Sequence, residues 1–334
     1  MSVLPIQIDM LRYLIVLQIN DSLVASPTFL TQEFSIVLGT IISNNLPPSD
    51  SSSWKQEVSV WDEYGGISII GKKSIIKQLP EAKWPIESVL FLYPYKKRSY
   101  GEGELILLEI KLIGKDASHD FFVNYILPAI EEAGSVIDTT WQPAKSLWGR
   151  FDIHSVHIAR GNKWEPLFAD GMLDLEYKPT TSQWAEGLNF DMHDQPLPID
   201  SISWLTPFIK LAQREDNESL YKPYIPSLTD VFDAFISRIN SITPGCKMIE
   251  DQSLLLKAIM DVPIISVTKT NFNDIYKPLK GDKIGTQIFN AAIPSSVFPY
   301  LRLASIIQIG RYTHFGCGAF IMQSSSCIKN RSKV

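Results

Sequence analysis

The sequence is short of cysteine, of charge and of long apolar runs, and each shortage closes a class of protein. Three cysteines in 334 residues, at positions 246, 317 and 327, lack metal-ligand spacing and cannot build a disulfide framework. They fit a reducing, cytoplasmic setting, with Cys317 as a small buried residue and Cys327 as a tail thiol. The longest N-terminal apolar run, Leu14 to Leu17, is flanked by Arg12 and Gln18. It is too short to span a bilayer, and no basic stretch or small-residue cleavage site surrounds it, so no membrane partner and no processing are expected. Also missing are a Gly-x-Ser-x-Gly elbow, a Walker loop, His-Glu-x-x-His and Cys-x-x-Cys, and no pair of carboxylates stands out by spacing. Charged residues make up 20%, yet 45% of the chain is apolar, with 8 Trp, 16 Phe and 12 Tyr, which excludes a disordered chain.

What is there suggests two domains, each long enough to bury its own core. The net charge of −5 taken alone argues against a nucleic-acid partner, but its distribution does not. From Lys269 onward nine basic residues face only Asp274 and Asp282, a net +7 that leaves −12 on the first 268 residues. Such asymmetry hints at a polyanion-binding surface toward one end. Two smaller basic clusters, Lys72/Lys73/Lys77 and Lys96/Lys97/Arg98, lie among aromatic residues. Trp54, Trp61, Tyr64 and Trp84 near the first of them are candidates for stacking RNA bases, with core packing as the plainer alternative.

The apolar spacing predicts a strand at Tyr13–Ile19, then a helix from Gln32 to about Ser43 that Thr31 can cap. A polar run at 44–53 reads as a loop. Strands follow at Val89–Tyr95 and Glu104–Ile113, with Gly101 and Gly103 in a hairpin link. A helix from about His119 to Ala133, stopped by Gly134, leads to a strand at Phe151–Ala159. Strand, helix, two strands, helix, strand is the ferredoxin-like split βαβ pattern. Past a linker at His193–Asp200 the order starts again: a strand at Ile202–Leu211, a helix at Ser227–Ile242, a strand at Val262–Thr268, a helix at Ser295–Ile309 and a last strand at Phe315–Met322. The expected fold class is therefore α+β, with tandem ferredoxin-like (RRM-like) βαββαβ domains at 1–195 and 196–323 and a loose basic tail at 324–334.

The most informative string is Gly310-Arg311-Tyr312-Thr313-His314-Phe315-Gly316-Cys317-Gly318, between the last helix and the last strand. Glycines admit backbone shapes closed to other residues, and exposed amides in such a loop can bind phosphate oxygens. Metal-independent RNA cleavage needs a base for the 2′-hydroxyl, an acid for the leaving 5′-oxygen and a cation for the charge on phosphorus. Histidine suits either proton-transfer role. His314, Tyr312 and Arg311 offer these groups together; packing of His314 at a helix end is the bland alternative. His119 reads as a helix start. His154 and His157, three apart on a strand, face opposite sides, so they are not expected to share a metal ion.

This string resembles the Gly-x-Tyr-x-His-x-Gly segment and glycine-rich turn that end one branch of the RAMP superfamily of CRISPR-associated proteins. That branch comprises the endoribonucleases that process CRISPR precursor RNA. Pro27–Ile41 is similar to the branch's first helix, Leu112–Gly134 to its second, and Trp204-Leu205-Thr206-Pro207 with the helix ending Ser237-Arg238-Ile239 to the start of its second domain. The resemblance implies cleavage of CRISPR repeat RNA by 2′-hydroxyl attack, without metal or small-molecule cofactor, and retention of the product. It implies His314 as general acid or base with Tyr312 assisting. RNA contacts are expected from Arg311, Gly310, Gly316, Gly318, Lys283, Lys280, Lys96, Lys97 and Arg98. The expected partners are repeat RNA, or the mature guide RNA, and other subunits of a CRISPR effector complex. The alternative is a non-catalytic RAMP subunit that holds guide RNA; a ferredoxin-like protein unrelated to RNA is the third reading.

Overall fold

The computed structural model describes residues 7–26, 30–62, 83–93, 97, 99–137, 142, 144–169, 171–188, 190, 197–206, 208, 226–243, 267–274, 283–293 and 297–323. The chain divides into two compact units, one of residues 8–187 and the other of Gln7 together with residues from 188 onward. The boundary expected at 195/196 and most of the expected linker lie outside the described residues.

In the first unit, β1 (Met10–Ile19), the two-residue β2 (Val24–Ala25), α1 (Leu30–Asn45) and α2 (Pro48–Asp62) are followed by β3 (Ser88–Tyr93), β4 (Ser99–Tyr100) and β5 (Leu105–Ile113). Helix α3 (residues 119–135), β6 (Phe151–Arg160), β7 (Lys163–Ala169) and the short β8 (Met172–Leu173) complete it. The main sheet is antiparallel in the order β3-β5-β1-β6-β7-β8. Its first four strands have the ferredoxin-like arrangement, and β7 and β8 extend it. Tyr13, Ile15 and Leu17 are fully buried on the helix side, where Tyr13 stacks on Phe122 with ring centroids 3.6 Å apart. Trp84 anchors α1 by donating from Nε1 to the Ser35 carbonyl at 2.9 Å.

Two local expectations are corrected here. The run 44–53 is not a loop throughout, because α2 begins at Pro48. Proline lacks the amide that a first helical turn leaves unpaired anyway, and Trp54, 3% exposed, anchors the helix against Trp84 and Phe121 at 5.6 and 5.7 Å. Gly134 does not stop α3, which runs to Ser135. A Cβ there would lie 2.3 Å from the Phe151 carbonyl oxygen, so glycine lets the helix lie against the start of β6. Ser118 caps the start of α3, its side chain accepting from the Phe121 amide at 3.2 Å. A π-helical stretch, Phe122–Ile126, precedes Pro128, whose missing amide cannot continue an α-helical ladder.

The second unit repeats the scheme. Strand β9 (Leu197–Trp204), helix α4 (Leu228–Ile242), β10 (Val267–Asp274), β11 (Lys283–Ile293), α5 (Phe298–Ile307) and β12 (Phe320–Gln323) form an antiparallel sheet in the order β10-β11-β9-β12. Ser227 and Asp230 close a reciprocal capping box at the start of α4. The expected α+β class with tandem ferredoxin-like units is what the structure holds. The individual strands move: β9 starts five residues before the expected Ile202, β10 runs on to Asp274, and β11 was not anticipated. Phe315, expected to begin the last strand, instead ends a 3-10 turn (Thr313–Phe315), and β12 starts at Phe320.

Candidate functional site

The glycine-rich string joins α5 to β12, and its shape is set by backbone geometry. Five consecutive turning points carry positive φ: Gln308 at 60°, Gly310 at 97°, Tyr312 at 58°, Gly316 at 80° and Gly318 at 77°. The Tyr312 carbonyl accepts from the amides of Phe315 at 3.0 Å and Cys317 at 3.2 Å, folding the chain back on itself. Both arms then meet. The Ile309 amide donates to the Gly318 carbonyl at 3.4 Å, and a Cβ on residue 318 would stand 1.7 Å from the Ile309 oxygen. Residue 318 must be glycine for the loop to close.

The end of the loop is clasped to β9. The Leu205 amide donates to the Ala319 carbonyl at 2.8 Å, and the Ala319 amide donates to Thr206 Oγ1 at 2.9 Å, with Thr206 1% exposed. Trp204 packs on Phe320 across the strand pair at 5.0 Å. Sequence reasoning noted Trp204-Leu205-Thr206-Pro207 only as the start of a domain; the structure makes Thr206 the anchor of the loop. Nothing in the local sequence announces a partner 113 residues away.

On this frame Arg311, Tyr312 and His314 are half-buried and adjacent. The Arg311 guanidinium lies 5.3 Å from the centre of the Tyr312 ring. Tyr312 runs nearly parallel to Phe315 (12°, centroids 6.2 Å), and His314 stands 4.1 Å from Phe315 and 6.2 Å from Tyr312. An imidazole, a phenol and a guanidinium thus share one short loop, groups able to move a proton and to stabilise charge on a phosphodiester.

Lys97 belongs to the first unit, pairs with Glu104 at 2.7 Å and lies over Tyr100 at 4.7 Å. Lys283 opens β11, and Lys280, Lys96 and Arg98 lie outside the described residues. The expected stacking residues Trp54 and Trp84 are 3% and 1% exposed and belong to the core, because their rings pack on each other and Trp54 on Phe121 of α3. Trp61 and Tyr64 offer no described side chain. His119 takes a hydrogen bond with the buried Tyr13 hydroxyl at 3.0 Å, and burial lowers its pKa against the opposing pull of Asp120. His157 bonds to Ser155 at 3.0 Å. Among the described residues no three His, Cys, Asp or Glu side chains are placed to hold a metal ion, and no helix is long and apolar enough to cross a membrane.

The fold thus consists of two α+β units, the second carrying a glycine-rich loop before its last strand. No known family profile and no curated protein matches the sequence. Among solved structures the chain is similar to a partial Cas6–RT–Cas1–Cas2 complex, with TM-score 0.54, 12% identity and 96% of this chain aligned. It spans only 47% of the chain matched there, and 29% of the matched chain in the fuller complex. It is also similar to a Cas6 product complex, with TM-score 0.52 and 12% identity, over 94% of this chain and 100% of that one. The fold is therefore of the Cas6 type.

Proposed function

We propose that this chain is an endoribonuclease that binds CRISPR repeat RNA and cuts it without a metal ion. The carrying observation is the closed loop between α5 and β12, which puts His314, Tyr312 and Arg311 on one rigid frame. In this reading the 2′-hydroxyl of the nucleotide before the cut attacks phosphorus. Its proton passes to a base, the bond to the 5′-oxygen breaks, and an acid returns a proton to that oxygen. The products are a 2′,3′-cyclic phosphate and a 5′-hydroxyl. His314 serves as acid or base, Tyr312 assists, and Arg311 stabilises the charge on the phosphoryl oxygens. The Gly310 backbone and lysines 280 and 283 contact phosphates; the product stays bound.

Purified protein incubated with labelled repeat RNA in EDTA and run on a denaturing gel tests this. A single cut is expected, lost in His314→Ala while RNA binding stays within about tenfold, ~1.4 kcal/mol. Cutting at the wild-type rate by the mutant would remove His314 from the mechanism. A second reading, a guide-RNA-holding subunit that does not cut, is favoured by one feature: the loop holds a single imidazole, whereas cleavage needs both an acid and a base. Binding without any cut product would establish it.

A further inference from the structure

Strand β6 pairs with β1 in a register that slips between Val16 and Leu17. Leu17 pairs with Ile153 and Val16 with Ser155, which leaves His154 as the extra residue of a β-bulge. The bulge resets the alternation of side chains. Leu17 and Ile15, fully buried on the helix side, pair with Ile153 and Val156, so His154, Ser155 and His157 all project from the opposite face. The expectation that His154 and His157 face opposite sides is thereby corrected: one inserted residue puts a spacing of three on a single side.

The centre of this face is covered, but it opens at the bulge, where His154 is exposed and Ser155 and His157 are half-buried. Ser155 Oγ lies 3.0 Å from His157 Nε2. Burial, and then the charge His154 can carry, hold the His157 imidazole below its ordinary 6.5, so the two rings feel one another. Among the described residues few other charges face the patch. Across from it β1 presents Val16 and Leu14, and β7 presents Pro166. Asp152, on the same face just before the bulge, accepts from Asn20 Nδ2 at 3.0 Å. Glu109, on the far side of Leu14, is buried and committed to Arg12 and Lys111. Arg160, Lys163 and Glu165 lie on the helix side by register.

We infer that the His154–Ser155–His157 patch binds a phosphate group of the RNA backbone, and holds it more tightly as the imidazoles take up protons. The inference rests on the RNA-binding reading above and adds a site on the first unit to it. A protonated imidazole donates from both ring nitrogens. With His157 Nε2–H donating to Ser155 Oγ, the hydroxyl proton is left to donate to a phosphate oxygen. Two such cations side by side repel, and an anion between them removes that cost. Binding therefore draws protons in, and affinity rises as pH falls through the imidazole range.

The test measures fluorescence anisotropy of the full chain with labelled CRISPR repeat RNA at about pH 5.5 and pH 8. Combining His154→Gln with His157→Gln should weaken binding about fivefold at the lower pH, one single-strand phosphate contact's share between 1 M and 0.1 M salt, and less than about twofold at the higher. Proton–carbon spectra of the five histidines supply a second readout. The His154 and His157 signals, assigned with the single Gln variants, should move when inorganic phosphate or the RNA is added. Melting curves at both pH values confirm that the variants fold. Equal losses at the two pH values, or histidine signals that neither probe moves, would overturn the inference; signals that only free phosphate moves would overturn the assignment to RNA. If the wild type binds repeat RNA and the double variant matches it, this patch alone falls; if the wild type binds no RNA at either pH, the RNA reading falls as well.

Discussion

At the scale of single residues, two glycines with nearly the same φ make opposite demands. Gly318 (φ 77°) has the Ile309 oxygen 1.7 Å from where a Cβ would sit, whereas Gly103 (φ 78°) has nothing within 4 Å. Gly318→Ala should therefore cost about 2–4 kcal/mol, strain and overlap together, and Gly103→Ala about 1 kcal/mol, from its dihedral alone. Urea unfolding of the two variants checks the contrast. Glu109 gives a pH prediction. Burial pushes its carboxyl up, but the charges of Lys111 and Arg12 and their hydrogen bonds outweigh this and hold it below its ordinary 4.5. It stabilises the fold above the unfolded carboxyl's pKa, and that contribution is lost as pH falls through the lower, folded value. Acid unfolding should accordingly be shallower in Glu109→Gln, which is itself about 3–5 kcal/mol less stable at pH 7 for leaving two cations without their anion. The glycine string was legible because its residues are contiguous. Thr206 and Gly134 were not, since each matters only through a distant partner, Ala319 or Phe151.

At the scale of elements, legibility followed how far local pattern and tertiary context agree. Strands β1, β5 and β6 were readable because their apolar residues are continuous or alternate. Strand β11, Lys-Ile-Gly-Thr-Gln-Ile-Phe-Asn-Ala-Ala-Ile, mixes glycine and amides into an irregular pattern; pairing with β9 and β10 makes it a strand. Helix α2 opens Pro-Ser-Asp-Ser-Ser-Ser, which is turn chemistry, and is held by one indole. Trp54→Ala should cost about 3–5 kcal/mol and raise amide exchange through α2 before the sheet, as read by hydrogen-exchange mass spectrometry.

At the scale of the whole molecule, the same strand order appears twice in a chain whose charge is divided unevenly. If the basic end meets phosphates, affinity for repeat RNA must fall linearly on a log–log plot against salt, because each contact releases counterions. Arg311→Gln should reduce that slope by about 0.7 and weaken binding without changing sequence preference. A titration at four salt concentrations, wild type beside variant, measures it. The sequence conveyed the charge division and the doubled order; it did not convey which surfaces the order exposes, since that depends on strand register.

The clasp between Thr206 and Ala319 also bears on how the protein comes into being. Its partners are separated by 113 positions, so the clasp can form only by closing a long loop. The Arg311–His314 turn has local bonds of its own, from the amides of Phe315 and Cys317 to the Tyr312 carbonyl, but only this closure ties it to β9. Activity should thus appear in refolding no earlier than the pairing of β9 with β12. The clasp makes the loop an assembly checkpoint: a chain that stalls halfway holds the histidine but not the geometry to use it.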